Sequence, residues 1–220
     1  MLTSHLIASH YPSVKLTDRS AFVLGLMDDY DVQHMPVTDD EEKYIGLVSK
    51  DDLLDAIDDA IIATVEIHFI KASVKDTEHF LNAVRLCVDH NLSLIPVISK
   101  ENEIIAVLNE LDLLKAMAQF TGVDEPGGII VLEMEKRNFS FSDLARLVET
   151  NDAYITQLNT TVEKDTAMIL VTLKINKFEI SDIVATFQRY EYQVRYYFGE
   201  ELYQNQLKEN YDSLMNYLNI

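Results

Sequence analysis

Apolar side chains recur at helical spacing early in the chain, at Phe22, Val23, Leu26 and Met27. Thr17 precedes them where a hydroxyl would cap free helix amides, so a helix of roughly twelve residues is predicted after it. The pattern then changes to two short extended runs, His34-Met35-Pro36-Val37 and Tyr44-Ile45-Gly46-Leu47-Val48, separated by a polar turn from Thr38 to Lys43. Proline lacks an N–H donor, so Pro36 and its later counterpart Pro96 are expected at strand starts or edges. Ser49 opens a second helix, predicted to run through Asp52-Leu53-Leu54 to about Ala63. The local order is helix, strand, strand, helix, with a short extended lead-in.

This unit is written twice. Displaced by 60 residues and without gaps, Ser13-Val14-Lys15 and Thr17 recur as Ser73-Val74-Lys75 and Thr77, and Pro36-Val37 as Pro96-Val97. Leu26, Asp29, Glu41 and Ile45 recur as Leu86, Asp89, Glu101 and Ile105, and Asp52-Leu53-Leu54 and Ala56 as Asp112-Leu113-Leu114 and Ala116. About fourteen identities in one short window mark a duplication. The first copy spans about 4–63 and the second about 64–120. A Gly/Pro cluster within Thr121–Gly128 then reads as a linker over 121–127.

The second half has another rhythm. A strand is predicted at Ile129–Met134, and a helix from Ser140 with Phe141, Leu144, Leu147 and Val148 on one face. Strands follow at Tyr154–Asn159 and Met168–Leu173, then a helix with Ile180, Ile183, Val184, Phe187 and Tyr190, and a last strand at Gln193–Phe198. The order over 128–198 is βαββαβ, the ferredoxin-like split pattern. Leu202, Leu207, Tyr211, Leu214 and Leu218 predict an amphipathic C-terminal helix over 199–220. The fold class is α+β.

Composition narrows the chemistry. With 18 Lys and Arg against 37 Asp and Glu, the 220 residues carry a net charge of −19. That field repels phosphate backbones and anionic lipid, so neither nucleic acid nor membrane is an expected partner. A single cysteine, Cys87, excludes an intrachain disulfide and fits a small buried thiol. Met1–Ala8 has no basic leader and no stretch approaches a bilayer span, so a cytoplasmic location is expected. The six histidines show no zinc-site spacing. The acids Asp39–Glu42 and those around Asp51–Asp59 read as solvated faces rather than Ca²⁺ loops. No phosphate loop, dinucleotide fingerprint or nucleophile elbow occurs, and an enzyme is not expected.

The duplicated pattern, with Pro-Val, a turn, and then Gly46-Leu47-Val48-Ser49-Lys50-Asp51-Asp52-Leu53-Leu54, resembles the CBS domain, which occurs as tandem pairs. The resemblance covers 1–120. It implies a regulatory module with clefts between the copies for AMP or another adenosine-containing ligand. In that setting Gly46 would admit a ligand close to the backbone. Ser49 would meet a phosphate at a helix N-terminus, and Asp52 would accept hydrogen bonds from ribose hydroxyls. Equally, Ser49 is an N-cap and Asp52 a first-turn acid. The second copy has Ala106 for the glycine and Asn109 for the serine but keeps Asp112, so its capping half survives better than its ligand half. The resemblance also puts Val32, Gln33 and His34, and Leu92-Ser93-Leu94, at the cleft.

The second half looks like an ACT domain, and the layout resembles acetoin-utilisation regulatory proteins. The loop Glu135–Phe139 lacks the glycine of amino-acid-binding ACT domains, which favours a packing and dimerisation module. Together these features imply a homodimer that senses an adenosine-type ligand and acts on an unidentified regulated protein. The alternative is an adaptor dimer whose clefts bind no small molecule.

Overall fold

In the computed structural model, which describes residues 1–6, 11–56, 59–163 and 166–199, the chain divides into two compact units, Met1–Phe120 and Thr121–Ile220. The predicted C-terminal helix over 199–220 lies, but for Gly199, outside the described residues. Among the described residues no helix is long and apolar enough to cross a membrane.

The first unit holds two three-stranded sheets of the same design. β1 (Val14–Lys15) runs parallel to β2 (His34–Thr38), which pairs antiparallel with β3 (Tyr44–Ser49). Helix α1 (Ser20–Asp29) precedes β2, and α2 (Lys50–Leu54) follows β3. The second copy repeats this with β4 (Val74–Lys75), α3 (Leu81–His90), β5 (Leu94–Ile98), β6 (Ile104–Asn109) and α4 (Glu110–Phe120). One continuous core joins the copies, with Met27, Met35, Val37 and Leu47 packed in the same cluster as Leu94, Ile95, Val97 and Leu108. The lead-ins are exchanged between copies, the second copy's beginning with the turn that starts at Ile62. Ile62 and Ala63 donate their N–H groups to Asp18 and Leu16, while Thr3 and Ser4 donate to Glu78 and Asp76.

Three local predictions are corrected. Thr17 and Thr77 do not cap helices: α1 and α3 begin at Ser20 and Leu81 without a side-chain cap. The residues that close those turns are Asp18 and Glu78, whose carboxylates accept from the N–H groups of Lys15 and Lys75. The second helix stops at Leu54, and a 3₁₀ helix forms separately over Ile62–His68. Pro36 and Pro96 sit third in five-residue central strands. Leu47, opposite Pro36, directs both of its backbone groups to Ile70 on the far side. The proline nitrogen therefore faces away from β3, on the side where β1 reaches only Val37 and Thr38, and no ladder bond is lost.

The second unit runs β7 (Gly128–Glu135), α5 (Phe141–Glu149), β8 (Ile155–Val162), β9 (Met168–Ile175), α6 (Ser181–Arg189), β10 (Gln193–Phe198). Its sheet has the order β10-β7-β9-β8, antiparallel throughout, as the ferredoxin-like pattern requires. Leu144, Leu147 and Val148 of α5 join Ile183, Val184 and Phe187 of α6 against Ile130, Leu132 and Met134. Phe141 and Tyr190, predicted on the buried faces, are instead exposed at the helix ends. Ser140 caps α5, accepting from the Asp143 N–H. One linker glycine has a packing reason: a Cβ on Gly127 would collide with the Ile175 carbonyl oxygen.

Candidate functional site

The β2–β3 register sets His34 opposite Ser49, at the sheet end where the chain turns into α2. The Lys50 N–H closes this corner on the Gln33 carbonyl at 2.8 Å. In the second copy Leu94 lies opposite Asn109, and the Glu110 N–H donates to the Ser93 carbonyl. The two corners meet. The Gln33 N–H donates to Ser93 Oγ at 3.0 Å, and the Ser93 N–H donates to His34 Nδ1 at 3.2 Å. Because Nδ1 accepts, the proton of the neutral ring sits on Nε2. His34 is almost fully buried, and desolvation holds its pKa below the usual value, with Asp51 and Asp52 pulling the other way.

A cleft of about 510 Å³ opens over this junction, lined by Gln33, His34, Ser49, Lys50 and Asp51 from one copy and His90, Asn91, Ser93 and Glu110 from the other, with Asp31 at its side. Its carboxylates, Asp31, Asp51 and Glu110, outnumber its one lysine. Lys50 Nζ is moreover paired with Asp28 at 2.5 Å. The field in the cleft is anionic, relieved by the amide-rich N-terminus of α2.

Of the sequence-predicted site residues, Gln33, His34 and Ser49 line this cleft. Asp52 stands one turn behind Ser49: its N–H donates to Ser49 Oγ at 3.1 Å, and the Ser49 hydroxyl donates to its carboxylate at 2.5 Å. The other Asp52 oxygen lies 3.9 Å from His68 Nδ1. Val32 is in the core rather than at the cleft, 3% exposed. Gly46 does not face open space either: a Cβ there would lie 2.8 Å from Cβ of Phe69. The space that its missing side chain leaves is taken up by Phe69.

Asn109 and Asp112 form a reciprocal cap: the Asp112 N–H donates to Asn109 Oδ1 at 2.8 Å and the Asn109 N–H to Asp112 Oδ2 at 3.2 Å. Asn109 Nδ2 also donates to the Tyr11 hydroxyl at 2.7 Å, and the Tyr11 ring packs on Tyr30. Sequence reasoning missed Tyr11, His68, His90 and Glu110. Ser93 alone had a usable signal for pairing with the first corner, since it stands 60 residues after Gln33, in the register of the repeat.

A family model, that of the CBS domain, matches residues 4–59 and 69–119. The first unit is a tandem CBS domain pair. Over 108 residues the chain is 25% identical to inosine-5'-monophosphate dehydrogenase of Methanocaldococcus jannaschii, covering 47% of this chain and 21% of that one. The chain thus spans about a fifth of that relative's length. Among solved structures it is similar to a CBS domain pair/ACT domain protein from Thermotoga maritima, with a TM-score of 0.50 and 22% identity, over 55% of this chain and 98% of the other. A Vibrio cholerae structure assigned as an acetoin utilization protein gives a TM-score of 0.49 and 20% identity, over 57% and 96%. In the CBS pair the corners at His34 and Ser93 are therefore the junction of the two domains, and the cleft above them lies between the domains.

Proposed function

We propose that this chain is a non-catalytic regulatory module whose CBS pair senses an adenosine-containing ligand and communicates its presence to a partner protein or to the second unit. The observation that carries this reading is the inter-repeat cleft, where the capped N-terminus of α2 stands beside the His34–Ser93 junction. A ligand touching both copies there favours the arrangement that it fits, and so biases whatever reads that arrangement. Ser49 and the α2 amides suit one phosphate, and Asp52 suits ribose hydroxyls. Asp31, Asp51 and Glu110 penalise a metal-free triphosphate, which leaves AMP or a cationic adenosine compound as the preferred classes. The working state in this reading is a cytoplasmic homodimer acting on a separate regulated protein, with the ferredoxin-like unit as an ACT-like packing and dimerisation module.

A second reading, an adaptor dimer with no small-molecule ligand, is favoured by Tyr11, whose hydroxyl occupies Asn109 in the second copy. Thermal unfolding of the intact chain with AMP, ADP, ATP with Mg²⁺, S-adenosylmethionine and NAD separates the two. A ligand at 100 times its Kd contributes about 2.7 kcal/mol, several degrees in a domain of this size. A shift that Asp52→Ala removes supports the sensor. No shift at saturating concentrations supports the adaptor.

A further inference from the structure

In the second unit, α5 and α6 pack on one face of the sheet, over Ile130, Leu132 and Met134. Where the other face of an antiparallel sheet meets water, polar side chains alternate with the buried ones. Here the register instead sets Tyr196 of β10 beside Val131 of β7, and Phe198 beside Ile129. The Tyr196 and Phe198 rings meet edge to face, with 5.7 Å between centroids. Leu170 of β9 adds to the same face, opposite Glu133. Toward β8 the rows turn polar, through Thr172 and Lys174 to Asn159 and Gln157. The apolar patch therefore lies along β10 and β7. Val131 at its centre is 3% exposed, as buried as the core, although α5 and α6 stand on the opposite face. Tyr196 and Phe198 at its margin are about half exposed.

The chain leaves the sheet from this margin. Gly199 follows Phe198 and is held against the turn between β9 and α6, where a Cβ would lie 2.5 Å from the Phe178 carbonyl oxygen. Residues 200–220, outside the described residues, carry Leu207, Tyr211, Leu214 and Leu218 at helical spacing, with Glu209, Asp212 and Asn216 on the opposite side. As a helix, 204–220 would span about 25 Å, close to the roughly 27 Å of an eight-residue strand such as β7. We propose that this segment turns back after Gly199 and lays its Leu207–Leu218 stripe along the face of β10 and β7. Stripe and patch match in length and in place, and Glu209 and Asp212 stay in water rather than over Glu133. This cover goes beyond the regulatory reading and holds whether or not the CBS cleft takes a ligand.

The chain has no tryptophan, so one placed in the segment reports on its surroundings. In the intact chain Tyr211→Trp is expected to emit at shorter wavelength than Asn216→Trp, whose indole stays in water. The difference should persist on dilution. It should vanish when Tyr196→Lys/Phe198→Lys is added, which puts two ammonium groups on the patch. Conversely, Leu207→Lys/Leu214→Lys alters no residue of the sheet and should raise the binding of anilinonaphthalene sulfonate several-fold as the patch opens. Equal emission from the two tryptophan variants, or dye binding unchanged by the lysine pair in the segment, overturns the inference. So does a difference that disappears on dilution, which assigns the cover to a second copy, or one that survives Tyr196→Lys/Phe198→Lys, which puts the segment elsewhere.

Discussion

Asn109 donates to the hydroxyl of Tyr11 at 2.7 Å across 98 positions of sequence, and this one bond separates the two copies of the CBS repeat. In the first copy the equivalent turn lines the cleft through Ser49, Lys50 and Asp51. In the second, the tyrosine stands over it with its ring on Tyr30.

Tyr11→Phe keeps that ring and removes the acceptor, leaving a half-buried amide donor unpaired. Loss of such a bond costs about 0.5–1.5 kcal/mol. The expected outcome is a melting temperature lower by a few degrees, with ligand response at the Ser49 corner unchanged. Thermal unfolding with and without AMP checks both parts.

Gly46→Ala should be more damaging. The new Cβ would sit 2.8 Å from Cβ of the buried Phe69, an atom that no change of rotamer can move. Overpacking of this kind costs about 1–3 kcal/mol. Phe69→Gly removes the opposing Cβ, so the double variant should lose less stability than the two single losses summed. Strict additivity in chemical denaturation would show that Gly46 is needed for some other reason.

The Gly46–Phe69 and Tyr11–Asn109 pairs show what could be read in advance. The duplication, the strand pairs around Pro36 and Pro96 and the βαββαβ order were legible because they depend on periodicity and on residues close in sequence. Ser49 was legible as a cap for the same reason. Val32 and Gly46 sit in motif positions whose surroundings come from elsewhere in the chain, so their neighbours were not legible. Thr17 and Thr77 misled because a hydroxyl and a carboxylate next to each other compete for the same turn. Asp18 and Glu78, with charged acceptors, hold the N–H groups of Lys15 and Lys75.

His34 gives a pH signature. Its ordinary value is 6.5, and burial lowers it in the folded chain. Well above 6.5 the ring is neutral in both states and full stability is present. As the pH falls below 6.5, the unfolded chain takes up a proton that the folded chain resists, and stability is lost at up to about 1.4 kcal/mol per pH unit. His34→Gln should flatten this slope between pH 7 and 5. Equal slopes in urea titrations of the two proteins would contradict the burial of the neutral ring.

Cys87 should be a poor nucleophile. Burial first, and the Glu110 carboxylate second, push its thiol up to about 11. Relative to an ordinary value of 9.0, that cuts the thiolate fraction about a hundredfold at pH 8. Alkylation by iodoacetamide is expected to be slower by about that factor in buffer than in urea. Comparable rates would mean that solvent reaches the thiol in the folded chain.

Ser49 separates capping from ligand contact. Its Oγ accepts from the Asp52 N–H while its proton goes to the Asp52 carboxylate, so one side chain serves the helix before any ligand arrives. Ser49→Ala should cost about 1 kcal/mol through the lost cap alone. Ser49→Asn copies the residue that caps α4 in the second repeat and should recover most of that stability. If the corner also binds a phosphate, Ser49→Asn will be stable yet shifted less by AMP than the wild type, because the larger amide fills space beside the α2 amides. A variant that recovers both stability and the full AMP shift would leave Ser49 a cap and nothing more, and the phosphate would then have to be held by the backbone amides of α2.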